Sequence, residues 1–375
     1  MVATISARGG AKSALAYYSH LSADNYYTRD GEPPGRWAGE GAERLSLEGP
    51  VTRAEFEAAL TGLDPKTGAR LAARGGINKT HSAGWDMTFS APKSVSVMWA
   101  LSEKETRDRI ENAHVKAVLK ATKALEQTSA WARRGQGGRV KERTAGLLMA
   151  QFDHHTSRDL DPQLHTHSFI FNLAPRKDGT WGAIVSRELY KAQKQAGLDY
   201  RNELANELEK EGFAIERTAD NFRMKAIPER IEKAFSKRRQ AIEKAAEAHD
   251  YNTAKGMELA SLRTRQHKQK TETKELYGRW KSEAKALRFE LNQENLRAPV
   301  AQIECELPGK TAAKTPAIPE KNHGAPRKNL SQINAKIAQV ARAVSRLGGP
   351  AQHGASSPGP RLQQKKRLLE RDYER

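Results

Sequence analysis

Alternating apolar and polar residues predict the strands of this chain. In GWDMTFS (residues 84–90), Trp, Met and Phe alternate with Asp, Thr and Ser, which is the period of a strand with one polar face. Because successive side chains of a strand point to opposite faces, Asp86 is expected on that polar face. Two longer strands are predicted at 143–155 and 164–175. The short polar segment TSRDLDPQ joins them, so they are expected to pair as antiparallel neighbours.

Helix signals separate the strands. Thr52 with Glu55, and Ser102 with Glu105, have the spacing of capping boxes, in which a hydroxyl and a carboxylate satisfy the first backbone N–H groups of a helix. Apolar residues then recur at helical spacing to about residue 131, which predicts that the second of these helices is long. The chain therefore mixes strands and helices over its first part.

The character of the chain changes after residue 228. Residues 229–297 hold 17 Lys or Arg and 11 Asp or Glu with few bulky apolar residues, so this region is predicted to form basic, polar helices. Residues 298–375 are rich in Pro and Lys and are predicted to be a linker followed by a basic, disordered tail. The predicted organisation is thus a core at 1–228, a basic helical region at 229–297 and a tail at 298–375.

The charge of the chain indicates its partner. It has 64 Lys and Arg against 45 Asp and Glu, a net charge of +19, which favours a polyanion. Nucleic acid is favoured over an anionic membrane surface, because the sequence contains no amphipathic or membrane-length apolar run. The single cysteine, Cys305, rules out a disulfide framework and a cysteine-based zinc site. With no signal peptide at the start of the chain, a cytoplasmic protein without membrane insertion is expected.

Three histidines have the spacing of a metal site. His165 and His167 are two residues apart on a predicted strand and therefore share a face. His154 ends the preceding strand, and the short connection brings it back beside them, whereas His155 points to the opposite face. A lone histidine on a strand is usually structural, but three imidazoles at one place can hold a metal ion with open positions. Such an ion polarises a phosphoryl oxygen or activates water.

Four of the nine tyrosines fall within eleven residues near the N-terminus, in the segment YYSHLSADNYY. The first pair lies on a helix predicted at residues 14–22, and the second pair lies in a turn-rich segment. On their own, such pairs are more often packed aromatic residues. Next to a metal-polarised phosphate they are also candidate nucleophiles, since a phenol with a pKa of about 10 needs such help to attack at neutral pH.

Four sequence motifs carry a family resemblance. YYSHLSADNYY, RWAGEGAERL, GWDMTFSAPKSVS and the HH…LHTH block resemble, in order and spacing, the relaxase domain of MobF-type (TrwC/TraI-like) conjugative relaxases of the HUH endonuclease superfamily. The resemblance continues through FSKRRQ and ASLRTRQHK to about residue 290. It implies an α+β fold with a central antiparallel sheet, the HUH palm, flanked by helices and followed by a helical region that covers DNA.

The resemblance also implies an activity and residue roles. Such relaxases nick one strand of plasmid DNA at the origin of transfer, stay joined to its 5′ phosphate through a tyrosine, and later rejoin the strand. The implied nucleophile is Tyr17, with Tyr18 as the second choice, and a second strand transfer falls to Tyr26 with Tyr27 beside it. The implied metal ligands are His154, His165 and His167. Asp86 is implied to orient a ligand histidine or to assist removal of a proton. Mg²⁺ or Mn²⁺ is the expected ion, with Zn²⁺ or Ni²⁺ as alternatives.

Partners follow from the same resemblance. Single-stranded DNA at the origin of transfer is the expected substrate, with accessory DNA-binding proteins and a type IV secretion coupling protein as further partners. Basic helix faces are usually just solvated, but after a nuclease core they are expected to cover the DNA strand. The expected DNA-binding residues are Lys237, Arg238, Arg239, Arg263 and Arg265. The tail after residue 298 is expected to bind DNA nonspecifically or a transfer partner.

No helicase or ATPase activity is expected from this sequence. Its one Walker-like match, PGKT at 308–311, has Glu304 where the first glycine is required. Two alternatives to the relaxase remain: a rolling-circle replication initiator or transposase-like HUH nickase, and a noncatalytic DNA-binding truncated relaxase. The first generally carries its tyrosines after the histidines, whereas here they come before. The second is disfavoured because all of the expected catalytic residues are present.

Overall fold

A computed structural model describes residues 3–18, 33–72, 81–265 and 273–291. Five strands form one antiparallel sheet in the order β1-β3-β7-β6-β2. They are β1 (Ala3–Gly10), β2 (Arg36–Ala38), β3 (Ser82–Ser90), β6 (Met149–Thr156) and β7 (Pro162–Phe171). The expected α+β fold with a central antiparallel sheet is therefore confirmed. All described residues lie in one compact unit, Met1–Gly309, and a second unit, Lys310–Arg375, falls outside them.

The other described elements surround this sheet. Three two-stranded ribbons consist of β4 (Trp131–Arg134) with β5 (Val140–Arg143), β8 (Ala174–Pro175) with β9 (Trp181–Gly182), and β10 (Ile215–Arg217) with β11 (Phe222–Met224). The described helices are α1 (Ala11–Tyr18), α2 (Glu40–Arg44), α3 (Arg53–Leu60), α4 (Lys93–Leu101), α5 (Lys104–Ser129), α6 (Ser186–Lys210), α7 (Glu229–Ala234), α8 (Lys237–Ala248), α9 (Ala254–Arg263) and α10 (Thr273–Ala286). Among the described helices, none combines the length and apolar content that a bilayer crossing requires.

Helices cover both faces of the sheet. The back face, which carries Met87 and Phe89, packs against α4, α5 and α6 and forms the larger hydrophobic core. The front face packs against α1 and α3 in a smaller core, where Phe56 of α3 meets Phe169 and Phe171 of β7 edge-on at 5.4 and 5.2 Å between ring centroids. Burial on both sides means that the polar face predicted for β3 is not a solvent face. Asp86 is only 2% exposed.

The β6–β7 hairpin holds the histidine block. Its strands were predicted at 143–155 and 164–175, and the observed strands are shorter, Met149–Thr156 and Pro162–Phe171. Residues before Met149 belong partly to the β4–β5 ribbon, because Arg143 pairs with Trp131 there. The second strand begins two residues earlier than predicted, at Pro162. Proline is tolerated at the first position of a strand, where its missing N–H is not needed.

The two predicted capping boxes have different outcomes. Thr52 and Glu55 form a complete capping box at the start of α3, so that prediction is confirmed. The box predicted at Ser102 and Glu105 is wrong, because α5 begins after Glu103 without a side-chain cap. The Ser102 hydroxyl instead donates to the Met98 carbonyl at 2.7 Å. The preceding helix α4 ends at Leu101, and its last carbonyls compete for the same hydroxyl.

The basic helices pack closely on the rest of the described chain. Trp280 of α10 is 1% exposed, lies 5.9 Å from Trp99 of α4 between ring centroids, and donates its indole N–H to the Leu160 carbonyl at 2.9 Å. Leu160 lies in the connection between β6 and β7, so α10 supports the turn of the histidine hairpin. The predicted tail at 298–375 lies outside the described residues and stays a prediction, as do the three region boundaries.

Candidate metal centre and active site

The hairpin register brings three histidines together on the front face. His154 is paired with His165 across β6 and β7, and His167 follows two residues later on the same face. The ring centroids lie 5.2 Å apart for His154 and His165, 5.1 Å for His154 and His167, and 5.1 Å for His165 and His167. Because metal–imidazole bonds are about 2.1 Å long, rings at this separation can share one ion. The predicted convergence of the three side chains is observed.

Asp86 fixes the orientation of one ring. Its carboxylate oxygens lie 2.9 and 3.1 Å from Nδ1 of His167, and it also accepts from Nη2 of Arg8 at 2.7 Å. Burial alone would raise the pKa of Asp86, but the charges and hydrogen bonds of His167 and Arg8 hold that pKa well below its usual range. An ionised Asp86 keeps the imidazole proton on Nδ1, so the lone pair of His167 lies on Nε2, the nitrogen that binds a metal.

His165 has the same tautomer for a different reason. Its Nδ1 lies 2.9 Å from the backbone carbonyl of Gln163. A carbonyl only accepts, so Nδ1 carries the proton and the lone pair again lies on Nε2. The ring of His165 is stacked on that of His154 at an interplanar angle of 22°, and His154 is 7% exposed. Two of the three rings are therefore prepared for ligation through the same nitrogen.

The donor chemistry of this site fits a divalent ion. Three imidazole nitrogens suit Zn, Mn, Ni or Co and leave positions open for a substrate oxygen. Within the described residues, no three His, Cys, Asp or Glu side chains already form a complete ligand group. The three rings would therefore have to turn toward a common point to share an ion, while Asp86 and Gln163 keep the tautomers of His167 and His165 in place.

His155 lies apart from the cluster, as expected. It points to the back face, is 6% exposed and lies 4.8 Å from Trp99 between ring centroids. This contact belongs to the packing of α4 on the sheet, so His155 has a place in the core and not in the site.

The sequence of the chain matches a known family model, described as TrwC relaxase, over residues 11–287. This chain belongs to the TrwC relaxase family. Its relatives include the multifunctional conjugation protein TraI of Escherichia coli, 33% identical over 320 residues, and the TraI of Escherichia coli strain K12, 34% identical over 292 residues. These matches cover 82% and 75% of this chain but only 18% and 16% of the relatives, so the chain spans less than a fifth of their length.

Solved structures of TrwC relaxases resemble this family member over about three quarters of its length. The conjugative relaxase TrwC in complex with OriT DNA, in a metal-free structure, is 30% identical with a TM-score of 0.67. A copper-bound structure of TrwC with OriT DNA is 32% identical with a TM-score of 0.68. Each match covers 77% of this chain and 99% of the solved chain. A third is TrwC with a 27-mer DNA comprising the recognition hairpin and the cleavage site, with a TM-score of 0.66.

The predicted nucleophiles of this relaxase-family chain lie at its N-terminus. Tyr17 and Tyr18 are the last two residues of α1, and Ala14 of the same helix is buried in the front-face core with Phe152 and Phe169. The backbone of α1 therefore lies on the face that carries the three histidines. Tyr26 and Tyr27 lie outside the described residues, so their roles stay predictions.

The predicted DNA-binding residues fall into two groups. Half-buried Lys237 pairs with Glu283 of α10 at 2.6 Å. Arg238 donates to the Ser261 carbonyl at the end of α9 at 2.6 Å, so both side chains have partners within the fold. The exposed group comprises Arg239, Arg263 and Arg265, of which Arg239 contacts Glu243 on its own helix. Lys237 and Arg238 therefore have partners in other elements of the fold, and the DNA-binding role of all five cations stays a prediction.

Sequence reasoning missed two cations near the site. Arg8, which pairs with Asp86, sits in the simple segment SARGG and gave no signal. Lys93, the first residue of α4, donates to the Pro162 carbonyl at 2.8 Å, and burial lowers its pKa to about 8. It lines a cleft of ≈ 630 Å³ together with Gln163, Arg201 and Arg223. Gln163 links this cleft to the cluster, because its backbone carbonyl accepts from His165 at 2.9 Å.

Proposed function

We propose that this chain is a conjugative relaxase that nicks and rejoins one DNA strand at a plasmid transfer origin, through a covalent 5′-phosphotyrosine and with the help of a divalent metal. The observation that carries this proposal is the front-face cluster of His154, His165 and His167 with Asp86. The similarity to TrwC structures that contain OriT DNA supports the choice of substrate. Since the chain covers under a fifth of the TraI relatives, only a relaxase activity is proposed for it.

The chemistry is a transfer of one phosphodiester to a tyrosine. The phenol oxygen of Tyr17 attacks the scissile phosphorus, an O–P bond forms, and the bond to the 3′ oxygen breaks. The proton lost by the phenol balances the proton gained by the 3′ hydroxyl. Because one phosphoester replaces another, the 3′ hydroxyl can attack the phosphotyrosine and restore the strand. Tyr26 would accept a second strand in the same way.

The histidine cluster supports the attack by charge. When bound, a divalent ion would neutralise charge on a nonbridging phosphate oxygen. His154, His165 and His167 would hold it. Asp86 keeps the Nδ1 proton of His167 in place, so Nε2 is the nitrogen that would bind the ion. Mg²⁺ or Mn²⁺ is proposed, with Zn²⁺ or Ni²⁺ as alternatives; TrwC itself has been solved with copper and without metal. Accessory DNA-binding proteins and a secretion coupling protein remain predictions.

A single-stranded oligonucleotide from the transfer origin of the protein's own replicon tests the proposal. Incubated with the protein and Mg²⁺ or Mn²⁺, it is expected to give a covalent protein–DNA adduct on a denaturing gel. Tyr17→Phe is expected to remove the adduct, whereas Tyr190→Phe, an exposed tyrosine on α6, is expected to leave it intact. The absence of an adduct with every metal would refute the nickase. A full adduct with Tyr17→Phe would move the nucleophile to Tyr18 or Tyr26.

A further inference from the structure

A buried polar chain lies directly behind the histidine cluster. Asp153 and Thr166 face each other across β6 and β7, and this pair falls between the pair of His154 with His165 and the pair of Phe152 with His167. Their side chains point to the back face. Thr166 donates its hydroxyl proton to Asp153, and both side chains are buried, with 0% and 8% exposure. The side chains of Asp153 and Thr166 therefore join β6 and β7 directly behind the histidines.

The chain continues into two helices. Nε2 of His114 on α5 lies 2.8 Å from the Thr166 hydroxyl, and Nδ1 of His114 lies 2.7 Å from the hydroxyl of Tyr200 on α6. On the other side, the guanidinium of Arg36 on β2 pairs with Asp153 through both terminal nitrogens. One connected set of hydrogen bonds thus links β2, β6, β7, α5 and α6.

The direction of every hydrogen bond in this set is determined. An arginine only donates, so Asp153 accepts from Arg36 and from Thr166. The single hydroxyl proton of Thr166 is donated to Asp153, so the Thr166 oxygen accepts from Nε2–H of His114. Burial lowers the pKa of His114 to about 4, so the ring is neutral at pH 7 and carries a single proton, the one on Nε2. Nδ1 therefore accepts from the Tyr200 hydroxyl.

Such a chain allows little movement. A buried polar group that loses its partner costs about 1–3 kcal/mol, and the loss of any one member leaves its neighbour unsatisfied. Asp153 directly precedes His154, and Thr166 stands between His165 and His167. A shift of either residue would turn the adjoining histidines, because neighbouring residues of a strand share one backbone.

We propose that the Asp153–Thr166 pair, held by His114, Tyr200 and Arg36, is a positioning device that sets the separation of the three metal-binding histidines from behind the sheet. The inference rests on the proposed function for the metal but not on DNA cleavage. These residues touch neither metal nor DNA and act only through the histidines beside them. Partners of this indirect kind typically change metal affinity by about 10- to 100-fold.

The test measures metal binding without DNA. Co²⁺ suits three imidazoles and reports their geometry through its visible absorption. Thr166→Val, which keeps the shape and removes the hydroxyl, is expected to weaken Co²⁺ binding about 10-fold and to change the spectrum. Thr166→Ser, which keeps the hydroxyl, is expected to restore both. Tyr200→Phe, the mildest change at the far end of the chain, is expected to weaken binding by a few-fold and covers the case in which Thr166→Val does not fold.

Ser168→Ala is the matched control. Ser168 is 0% exposed, lies on the same strand and face as Thr166, also adjoins His167, and has no hydrogen-bond partner among the described residues. It is expected to bind Co²⁺ as the wild type does. If Thr166→Val and Tyr200→Phe both bind like the wild type with an unchanged spectrum, the positioning role is wrong while the proposed function stands. If the wild type itself binds no Co²⁺, Ni²⁺ or Mn²⁺, the metal part of the proposed function fails as well.

Discussion

Each face of the central sheet carries a buried aspartate that is paired with an arginine from a neighbouring strand. On the front face, Asp86 of β3 binds Arg8 of β1. On the back face, Asp153 of β6 binds Arg36 of β2. Both aspartates are less than a tenth exposed, and the pKa of each is lowered despite burial, because nearby cations and hydrogen bonds outweigh the effect of burial.

The third partner makes the difference between the two pairs. Asp86 binds Nδ1 of His167, one of the three clustered histidines. Asp153 accepts from Thr166, and the hydrogen bonds continue from Thr166 through His114 on α5 to Tyr200 on α6. The two Asp–Arg pairs thus have different roles: one orients a proposed metal-binding side chain, and the other ends a buried network of hydrogen bonds. Residue type alone does not distinguish these roles, but the third hydrogen-bond partner of each aspartate does.

Removing a histidine from each face gives the largest expected contrast. His165→Ala takes one of three donors from the front cluster and is expected to lower metal affinity by about 100-fold or more and to abolish the DNA adduct, since even indirect partners of a metal matter by about 10- to 100-fold. His155→Ala, on the back face beside Trp99, is expected to keep both and to lower only stability. Metal titration and the denaturing gel measure the two variants. Equal loss of metal by both would remove the functional distinction between the faces.

The back face also predicts a pH dependence of stability. Burial lowers the pKa of His114 from 6.5 to about 4, so between these pH values the unfolded chain binds a proton that the folded chain does not. Stability from this group is complete above pH 6.5 and falls by about 3 kcal/mol as the pH drops to 4. The buried carboxylates of Asp86 and Asp153 act at lower pH, because their pKa values are lowered.

Urea unfolding at a series of pH values separates the His114 contribution. His114→Gln is expected to be less stable at every pH, because Tyr200 and Thr166 lose a partner, but to lose much less further stability between pH 6.5 and 4. Only this slope is compared between the two proteins. Identical slopes in wild type and variant would mean that His114 is not kept neutral by the fold.

Neutralising each aspartate tests the comparison more finely. Asp86→Asn is expected to lower metal affinity by about 10- to 100-fold, because His167 loses the charge that fixes its tautomer. Asp153→Asn acts only through the position of the strands and is expected to lower it less, while reducing stability because Arg36 loses its charge partner. Metal titration and urea unfolding of both variants give the ranking. A larger metal defect in Asp153→Asn than in Asp86→Asn would reverse the roles assigned to the two faces.

The front face was largely predictable from the sequence, because its signal is local. The spacing of His165 and His167 and the short connection back to His154 place three side chains on one face by strand geometry alone. The face of Asp86 also followed from alternation. Its partners did not, because contact with His167 depends on the register of β3 against β7, which no local pattern encodes.

The back face could not be predicted in this way. His114 lies on a helix as a single histidine, 52 residues from Thr166 and 86 from Tyr200, so only the packed fold reveals the network. The capping box predicted at Ser102 was wrong for a related reason. The Ser102 hydroxyl donates to the Met98 carbonyl of the preceding helix α4 and does not cap α5. Charge counting also did not reveal that Lys237 and Arg238 have partners within the fold, because those contacts depend on how α8 packs against α9 and α10.

Arg238 and Arg239 of α8 show the same distinction between a side chain that the fold engages and one that remains available to a ligand. The effect expected on DNA binding is the smallest of those predicted. Arg238 donates to the Ser261 carbonyl and to Thr264 at the end of α9, whereas the neighbouring Arg239 is exposed and has a surface pair with Glu243, which stabilises the fold little. Arg239→Ala is therefore expected to weaken binding of single-stranded DNA a few-fold and to reduce the salt dependence of log affinity by roughly 0.7, the contribution of one phosphate contact.

Arg238→Ala is expected to behave in the opposite way. It leaves the terminal carbonyls of α9 without their donor and should lower the unfolding midpoint, while the salt slope of DNA binding stays that of the wild type. Fluorescence anisotropy with one labelled oligonucleotide at several salt concentrations, together with thermal unfolding, measures both quantities for both variants. If Arg238→Ala changes the salt slope and Arg239→Ala does not, then the cation that the fold engages is the one that binds DNA, and contacts within the free protein are no guide to its DNA-binding residues.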